Sequence, residues 1–400
     1  MSDGSDPAPV APEPEPPVPE PPPAFTTVEA LGESLFFDTN LSLNRTQSCA
    51  TCHDPEHAFV DARLDDNGLI GAVSLGDDGT SLGDRNAPTA MYGALVPDFG
   101  EGRHQRFNSQ QPDYQGFLGG FFLDGRATKL ADQAKGPPLN PIEMGMPDKA
   151  AVVARVMENA DYVRSFKALF GDTVFDDMDT AYNAMADSIA AFELTEQFAP
   201  FQSKYDKSLR GEYTYDPGAK AALGKALFFS QQFTNCATCH QLRPNGSRDE
   251  IFSSFEYHNI GVPVNEAIRA VNNTEAGFVD QGLLDNPEVS DPAEAGKFKV
   301  PTLRNVAVTG PYMHNGVFRD LQTVIKFYDH FFSNSRFPDN PETGAPWREP
   351  EVPETVATVE LLDGRRMTQL EVEAMVCFLR TLTDERYEHL LPKDNLDCGI

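Results

Sequence analysis

The chain has 400 residues, 40% of them hydrophobic and 23% charged, which is typical of a globular protein long enough for two domains with separate cores. No apolar run reaches the roughly 18 residues that suggest a membrane-spanning helix, so we expect no membrane span. The formal net charge of -29 argues against nucleic-acid binding, which needs clustered Lys and Arg, and leaves simple solubility or attraction of a cationic partner protein as alternatives.

Residues 1–27 have a composition of their own, with ten prolines between Pro7 and Pro23 that alternate with Ala, Val and Glu. Such a stretch cannot bury enough apolar surface to fold, so it predicts a disordered, extended Pro-rich tether. No apolar leader precedes it, and we therefore expect a chain whose export signal is absent. A tether of this kind would suit a protein held near a membrane by its N-terminus.

Two stretches of the chain, about 190 residues apart, repeat each other. The first runs from Leu31-Gly-Glu-Ser-Leu-Phe-Phe37 to Cys49-Ala-Thr-Cys-His53, and the second from Leu223-Gly-Lys-Ala-Leu-Phe-Phe229 to Cys236-Ala-Thr-Cys-His240. Each joins an LGxxLFF segment to a CATCH pentapeptide, which indicates two copies of one supersecondary unit. We therefore predict an N-terminal domain over residues 28–205 and a C-terminal domain over 206–400, joined near 203–217.

The regular structure that the sequence predicts is mainly α-helical. Apolar residues recur at helical spacing over 148–170, 178–201, 320–333 and 368–382. Between the predicted helices lie long Gly/Pro-rich loops, notably 61–145 and 241–310, and loops of such length are uncommon unless they line a site. We expect a mainly α fold whose long loops surround buried groups.

The two CxxCH motifs carry the clearest chemistry. Two thiols three positions apart can each form a thioether to a haem vinyl group, and the next residue, a His, then ligates the iron. A thioredoxin-like redox pair would need a βαβ context, and a four-thiolate zinc site fits poorly with this spacing and the adjacent His residues. We therefore predict two covalent c-type haems, attached at Cys49, Cys52 and His53 and at Cys236, Cys239 and His240.

Two further cysteines, Cys377 and Cys398, lie outside these motifs. In an oxidising compartment they could form a disulfide bridge. Cys377 also falls in an apolar helical pattern, where it could be a buried free thiol. The sequence leaves both alternatives open.

Several other motifs resemble those of the bacterial di-haem cytochrome c peroxidases and the related MauG proteins. They are Arg85-Asn-Ala-Pro-Thr89, Asp124-Gly-Arg-Ala127, Val300-Pro-Thr-Leu-Arg-Asn305 and Pro311-Tyr-Met-His-Asn-Gly316. The resemblance covers residues 28–385. It implies two cytochrome c-like haem domains that face each other, with one Ca²⁺ between the haems.

The resemblance places the distal pocket of the N-terminal haem after Asp124. It implies that Gln133 and Glu143 lie beside an open iron position and that Pro137 forms part of the pocket wall. A carboxylate there can take a proton from one peroxide oxygen and return it to the other, and an amide can orient the peroxide. The alternative is that Glu143 is an ordinary surface carboxylate in a loop.

The resemblance also implies a calcium site. Asn86 would be its side-chain ligand, and Thr309 and Pro311 would donate backbone carbonyls. Oxygen ligands with several waters suit a hard cation. Taken alone, Asn86 would be read as a turn residue.

The distal ligand of the C-terminal haem separates members of the family. In typical peroxidases it is a Met fourteen residues beyond the His that corresponds to His314, whereas MauG-type members have Tyr there, and Tyr328 stands at this position. A phenolate is a hard anionic ligand that stabilises ferric iron. His330 and Met313 are rival ligands, and a Tyr packed in the core is the remaining alternative.

Two departures from the family pattern affect function. Between His57 and Asp124 the chain offers only His104 to cap the N-terminal iron, and its context differs from the family's capping His, so we expect that iron to be open at rest. The residue before Asp124 is usually Trp, an electron relay between the haems, but here it is Leu123.

We therefore expect a di-haem oxidoreductase that reacts with hydrogen peroxide at an open N-terminal haem and draws electrons through a His/Tyr-ligated C-terminal haem. The electron source would be a protein substrate that is oxidised. Alternatively, a small cytochrome or copper protein would supply them, as in a conventional cytochrome c peroxidase. A third possibility is a non-catalytic electron carrier with both irons six-coordinate. Covalent haem attachment predicts a periplasmic location.

Overall fold

The computed structural model describes residues 21–65, 68–106, 111–243, 249–272, 274–275 and 277–400. Most of the predicted tether, residues 1–20, lies outside this range. The described residues form α-helices with these bounds: α1 Val28–Phe36, α2 Cys49–Cys52, α3 Leu130–Ala134, α4 Gly136–Leu139, α5 Lys149–Met157, α6 Ala160–Phe170, α7 Met178–Glu193, α8 Lys204–Leu209, α9 Lys220–Phe228, α10 Glu266–Val271, α11 Leu321–Asp329, α12 Thr358–Leu361 and α13 Gln369–Arg380.

Strands are few and short in the described residues. They form three antiparallel pairs: β1 Gly100–His104 with β2 Tyr114–Leu118, β3 Tyr257–His258 with β4 Phe298–Lys299, and β5 Asp339–Asn340 with β6 Ala345–Pro346. In the longest pair Gly100 lies opposite Leu118 and His104 opposite Tyr114. The architecture is thus helical with little sheet.

One hydrophobic core surrounds α7, which packs against α1, α3 and α5. The side chains of Leu35, Phe36, Ile189 and Phe192 are buried between α1 and α7. The first helix begins where the Thr27 hydroxyl accepts a hydrogen bond from the Ala30 N–H at 3.2 Å, which satisfies a free donor of the first turn.

A second core surrounds α13, which packs against α9 and α11. Phe228 and Phe378 lie in contact here, with ring centroids 5.2 Å apart. The start of α13 is fixed by Thr368 and Glu371, which cap each other's backbone N–H groups. Each LGxxLFF segment therefore forms the helix that packs on the main helix of its own core.

The Gly of each LGxxLFF segment permits this packing. A Cβ atom on Gly32 would lie 1.8 Å from the carbonyl oxygen of Ser188 in α7, and one on Gly224 would lie 1.8 Å from that of Ala374 in α13. Neither distance is possible for a real side chain, so the backbones approach closely only because both positions are Gly.

The structure corrects several predicted helix boundaries. The stretch 148–170 is two helices, α5 and α6, because the side chain of Asn159 caps a new helix by accepting from the Asp161 N–H. The helix predicted over 178–201 ends at Glu193. The loop 61–145 contains the β1–β2 hairpin, α3 and α4, and the joining region 203–217 contains α8.

The two ends of the described chain are attached to the cores. Phe25 from the predicted tether donates its N–H to the Ser165 hydroxyl at 3.0 Å. At the other end, Cys398 forms a disulfide with Cys377 of α13, which decides between the two alternatives that the sequence left open. No helix among the described residues is long and apolar enough to cross a bilayer.

We expect Gly32→Ala and Gly224→Ala each to lower the free energy of unfolding by about 1–3 kcal/mol, because the added methyl group forces two packed helices apart. Gly218→Ala is the matched control, since a Cβ there meets only the Asp216 side chain, at 3.6 Å. Denaturant unfolding of the holoprotein measures all three. A midpoint for Gly32→Ala or Gly224→Ala equal to that of the control would contradict this account of the repeat.

Candidate haem sites

One large cavity, with a volume of about 850 Å³, is lined by both CATCH motifs. Its walls combine residues from both cores, and most of the lining surface is apolar. The thiols of the four motif cysteines are free, and all four residues line this cavity. The structure therefore brings the two predicted haem-attachment motifs to a shared space.

The N-terminal motif forms a single helical turn, α2, in which the His53 N–H donates to the Cys49 carbonyl at 2.9 Å. The turn is fixed by the Ser48 N–H, which donates to the Thr51 hydroxyl at 2.9 Å. His53 Nδ1 lies 3.0 Å from the carbonyl oxygen of Phe59. When Nδ1–H donates to that carbonyl, Nε2 is left unprotonated and able to bind iron. Burial lowers the pKa of His53, which keeps the ring neutral.

The C-terminal motif repeats this geometry. The His240 N–H donates to the Cys236 carbonyl at 3.0 Å, and His240 Nδ1 lies 3.1 Å from the carbonyl oxygen of Phe252. Burial lowers the pKa of His240 to about 4. Both imidazoles thus have one ring nitrogen held by a backbone carbonyl and the other available to a metal.

These residues fit two covalent haems. Each motif offers two free thiols for thioethers, and desolvation raises the pKa of Cys52 and of Cys236 to about 11, so these two thiols are neutral. A further sign is His314, whose Nε2 is buried without a hydrogen bond among the described residues, although the residue lines the cavity. Its ring stacks on Phe298 at a centroid distance of 3.7 Å. A bound group in the cavity can therefore contact the Nε2 atom of His314.

The predicted distal residues line the N-terminal part of the cavity. Gln133 lies on α3, Pro137 lies in the first turn of α4, and Glu143 follows in a turn. Burial raises the pKa of Glu143, while the positive charge of Arg126 and a hydrogen bond from Asn140 act in the opposite direction. Glu143 is therefore half-buried on the cavity wall and not fully exposed on the surface.

A smaller pocket of about 350 Å³ adjoins this wall and shares Phe122, Arg126, Asn140 and Glu143 with the large cavity. Arg126 lies over the Phe122 ring at 3.7 Å and donates to Asp124 at 2.7 Å. A small polar molecule in this pocket would reach Glu143 before it reaches the rest of the cavity.

A second buried carboxyl, Glu193, was not predicted from the sequence. It ends α7, lines the cavity and makes no hydrogen bond or ion pair through its side chain among the described residues. Burial raises the pKa of Glu193 to about 8, so the group is mostly neutral at pH 7.

Tyr328 lies on α11 and lines the cavity near the C-terminal motif. Burial raises the pKa of the Tyr328 hydroxyl. The nearby thiols of Cys239 and Cys236 raise it further. In the described part of the chain its hydroxyl makes no hydrogen bond. Of the two rivals, Met313 also lines the cavity, whereas His330 packs against Phe331 and Trp347 outside it.

The predicted calcium ligands Asn86, Thr309 and Pro311 all line the cavity. The Asn86 amide donates to the carbonyls of Gly71 and Ala72, at 3.1 and 3.0 Å. Within the described residues, no hydrogen bond reaches Asn86 Oδ1 or the carbonyl oxygens of Thr309 and Pro311. These three oxygens are therefore available to a cation.

His104 takes part in a buried network at the C-terminal motif. Its Nδ1 lies 2.9 Å from Glu256, which also accepts two hydrogen bonds from Arg106 and one from His258. Arg106 in turn donates to the carbonyl oxygen of Thr238, inside the motif. This network was not predicted from the sequence, because its members come from β1, the segment after it and β3.

Leu123, at the position of the family's relay tryptophan, and the tryptophan of this chain, Trp347, lie in different places. Leu123 lines the cavity, and its carbonyl accepts from the Lys299 N–H at 3.0 Å. Trp347, the only tryptophan of the chain, does not line the cavity, and its indole donates to the Phe337 carbonyl at 2.8 Å.

Comparison with known proteins agrees with this geometry. Residues 26–214 match the family described as di-haem cytochrome c peroxidase. The chain is 51% identical over 373 residues to the methylamine utilization protein MauG of Paracoccus denitrificans (strain Pd 1222), covering 92% of each chain. The chain belongs to the di-haem cytochrome c peroxidase family. It is a MauG-like di-haem oxidoreductase, an enzyme of the peroxidase or oxidase type, and its fold is that of the di-haem peroxidases.

More distant relatives agree. Cytochrome c peroxidase Ccp of Escherichia coli (strain K12) is 32% identical over 297 residues, which cover 74% of this chain and 52% of that one. The crystal structure of the di-haem peroxidase BthA from Burkholderia thailandensis E264 superimposes with a TM-score of 0.77 at 30% identity, covering 93% of this chain and 90% of that one. The family implies two c-type haems, as the two CATCH motifs predicted.

We expect Glu256→Gln to lower the free energy of unfolding by about 3–5 kcal/mol, because it leaves the buried Arg106 charge without its counter-ion. Burial alone would raise the pKa of Glu256, but hydrogen bonds from His104, His258 and Arg106 outweigh it and lower the pKa to about 2. The carboxylate therefore stabilises the fold above its ordinary pKa of about 4.3, and this contribution is lost as the pH falls towards 2.

Denaturant unfolding of the holoprotein at several pH values measures both effects. Glu101→Gln is the control, because Glu101 is an exposed carboxylate on β1, the strand that also carries His104. Equal stability of Glu256→Gln and this control would show that the network contributes nothing.

Proposed function

We propose that hydrogen peroxide reacts in the N-terminal half of the cavity, with Glu143 and Gln133 as the groups that act on it. The observation that carries this proposal is the half-buried Glu143 carboxyl, which lines both the small pocket and the cavity that contains the first CATCH motif. The single histidine available as a cap, His104, is bound to Glu256 at the other motif. An iron held by His53 would then keep its opposite face open.

The haem supplies the redox centre, and the side chains of this chain handle the protons. With the haem bound, Glu143 would take a proton from one peroxide oxygen and return it to the other, which leaves as water. The Gln133 amide orients the peroxide by hydrogen bonding, and Pro137 limits the space beside it. Arg126 holds part of the Glu143 population in the charged form that accepts a proton.

We also propose that the C-terminal haem is attached at Cys236 and Cys239 and held by His240 and Tyr328. A sixth position filled by Tyr328 would prevent peroxide from binding there and leave this centre to transfer electrons. The two halves would then correspond to an N-terminal peroxidatic domain over 28–205 and a C-terminal electron-transfer domain over 206–400. The two separate hydrophobic cores support this division.

A Ca²⁺ ion between the halves is part of the same proposal. Its ligands would be Asn86 Oδ1 and the carbonyl oxygens of Thr309 and Pro311, which have no hydrogen-bond donors among the described residues. Asn86 and the other two residues come from different halves, so the ion would join them. Elemental analysis of the holoprotein measures whether one Ca²⁺ per chain is present.

The electrons come from outside the chain. The similarity to MauG favours a protein substrate whose side chains are oxidised, and the similarity to Ccp favours a small redox protein as donor. Covalent haem attachment favours the periplasm, with residues 1–27 as a Pro-rich tether. These two electron sources can be separated experimentally. Peroxide is added to the ferric enzyme, and either a candidate protein substrate or a small redox protein is offered as the electron donor.

We expect Glu143→Gln to slow the reaction with peroxide by about 10²–10⁴-fold, because an amide cannot accept the proton. In the wild type the rate should rise with pH through a pKa above the ordinary glutamate value, because burial keeps the carboxyl protonated to higher pH. Glu143→Gln should lack this rise. Stopped-flow absorbance measures the rate, with the exposed Glu196→Gln as control; the same pH profile in both variants would remove Glu143 from the mechanism.

We expect the ferric holoprotein to give one high-spin and one low-spin haem signal by electron paramagnetic resonance (EPR). Tyr328→Phe should alter only the low-spin signal, because it removes a ligand from the C-terminal iron. Tyr312→Phe is the control, since Tyr312 also lines the cavity but donates to the Val306 carbonyl at 3.0 Å. An unchanged low-spin signal would exclude Tyr328 as a ligand, and two low-spin signals would favour the electron carrier.

A further inference from the structure

The two halves of the enzyme need a route for electrons, and the position usually filled by an indole is Leu123. Aliphatic side chains are not oxidised at the potentials that haems reach, and Trp347 lies outside the cavity. Tyrosine is the remaining side chain that can give up an electron readily, provided that a nearby base takes its hydroxyl proton. The group that accepts the hydroxyl hydrogen bond therefore decides which tyrosine can act in this way.

Tyr92 has such a base on the N-terminal side. Its ring is buried and lines the cavity, and its hydroxyl donates to Asp384 Oδ2 at 2.7 Å. It lies on the proximal side of the first motif, because the Ala90 N–H donates to the Phe59 carbonyl that also accepts from His53 Nδ1. Tyr92 is therefore two residues from Ala90, which binds the same carbonyl as the predicted axial histidine.

The carboxylate of Asp384 lies in the interior, where hydrogen bonds satisfy both of its oxygens. It is fully buried, and its two oxygens accept from the Asn305 side chain and from the Gln202 N–H, each at 2.9 Å. These hydrogen bonds come from neutral donors, and Asp384 forms no ion pair with any residue that the structure describes. It can accept the Tyr92 proton without breaking an ion pair.

A similar pairing occurs on the C-terminal side, where the carboxylate, Glu250, also forms an ion pair with Arg243 at 3.0 Å. The Tyr205 hydroxyl donates to Glu250 Oε2 at 2.6 Å, and both residues are buried. The Tyr205 ring packs edge-on against Phe252 at a centroid distance of 4.9 Å. The Phe252 carbonyl is the one that accepts from His240 Nδ1, so Tyr205 lies behind the second axial histidine.

Arg304 lies between the two pairs. Its guanidinium is 5.5 Å from the centre of the Tyr92 ring and 5.5 Å from that of Phe252, and it donates to the Glu250 carbonyl. Its charge is balanced by Asp206 at 2.6 Å. A continuous set of packed groups therefore runs from the His53 side to the His240 side without passing Leu123.

We propose that Tyr92 and Tyr205 carry one oxidising equivalent between the proximal sides of the two haems, each passing its hydroxyl proton to its own buried carboxylate. This inference rests on the proposed function, because hydrogen peroxide is the oxidant. One peroxide takes two electrons and two protons and becomes two waters. Tyr92 supplies one of the electrons.

The steps balance as follows. The Tyr92 O–H bond breaks, the electron leaves towards the N-terminal haem, and the proton moves to Asp384, which becomes neutral. An electron from Tyr205 then refills Tyr92, whose proton returns from Asp384, while the Tyr205 proton moves to Glu250. An electron from the C-terminal haem finally refills Tyr205, and Glu250 returns its proton.

Other buried tyrosines lack this chemistry. The hydroxyl of Tyr182 donates to the Lys135 carbonyl at 2.7 Å, and that of Tyr312 donates to the Val306 carbonyl. An amide carbonyl cannot take a proton from a phenol radical cation, whereas a carboxylate can. Tyr182→Phe is therefore a matched control for Tyr92→Phe, with the same buried hydroxyl and the same hydrogen-bond length.

The test is EPR spectroscopy of holoprotein frozen shortly after peroxide is added, with and without ring-deuterated tyrosine. The wild type and Tyr182→Phe should give a tyrosyl radical whose hyperfine pattern changes on deuteration. Tyr92→Phe should lose this signal, and so should Asp384→Asn, which keeps the hydrogen bond but removes the base. Tyr205→Phe should keep the radical on Tyr92 and prolong its lifetime, because the second step is blocked.

Other outcomes overturn the inference. If Tyr92→Phe keeps the radical of the wild type and loses only unfolding stability, the Tyr92–Asp384 pair is a structural contact and the relay is wrong. If the wild type consumes peroxide but never shows a tyrosyl radical, the relay fails while the proposed function stands. If the high-spin haem signal of the wild type does not respond to peroxide at all, the proposed function fails, and the relay fails with it.

Discussion

Both predicted iron ligands, His53 and His240, must direct Nε2 into the same cavity. In each case a hydrogen bond to a backbone carbonyl fixes the orientation of the imidazole ring. His53 and His240 each direct Nδ1 at the carbonyl of a buried Phe, Phe59 or Phe252. These carbonyls can act as acceptors because their segments leave helical geometry, with positive φ at both Phe residues. The backbone bend at each Phe thus determines the orientation of the histidine that is predicted to bind iron. The other residues of each site lie around that histidine.

The rest of the scaffold holds these bends in place by close helix packing. Gly32 and Gly224 let one short helix approach the long helix of each core, and the chain then continues from that helix to the CATCH turn. The arrangement is the same in both halves, so the difference in chemistry cannot come from it. In the proposed function it comes from the other residues that line each part of the cavity, which are Glu143 and Gln133 in one half and Tyr328 in the other.

The sequence predicted the parts of this structure that depend on local pattern. The CATCH motifs, the repeat and the main helices follow from spacing, and the family resemblance supplied Glu143, Gln133 and Tyr328, which do line the cavity. It could not predict the break at Asn159, because the apolar period continues across it. The Glu256 network and the Tyr92–Asp384 pair join residues about 150 and 292 positions apart, and only tertiary packing brings such polar residues together.

Two carboxyl groups of the N-terminal half line the cavity, those of Glu193 and Glu143. A place on the cavity wall does not by itself suit a carboxyl group to acid–base chemistry. Glu193 ends a helix, where the negative end of the helix dipole adds to the cost of burial, and no donor or cation offsets it, so it is mostly neutral near pH 7. Glu143 is half-buried, Arg126 and Asn140 partly offset the burial that raises its pKa, and the residue also lines the small pocket. A group that must both take and return a proton needs its two states close in energy. Of the two carboxyls, only Glu143 has surroundings that act in both directions.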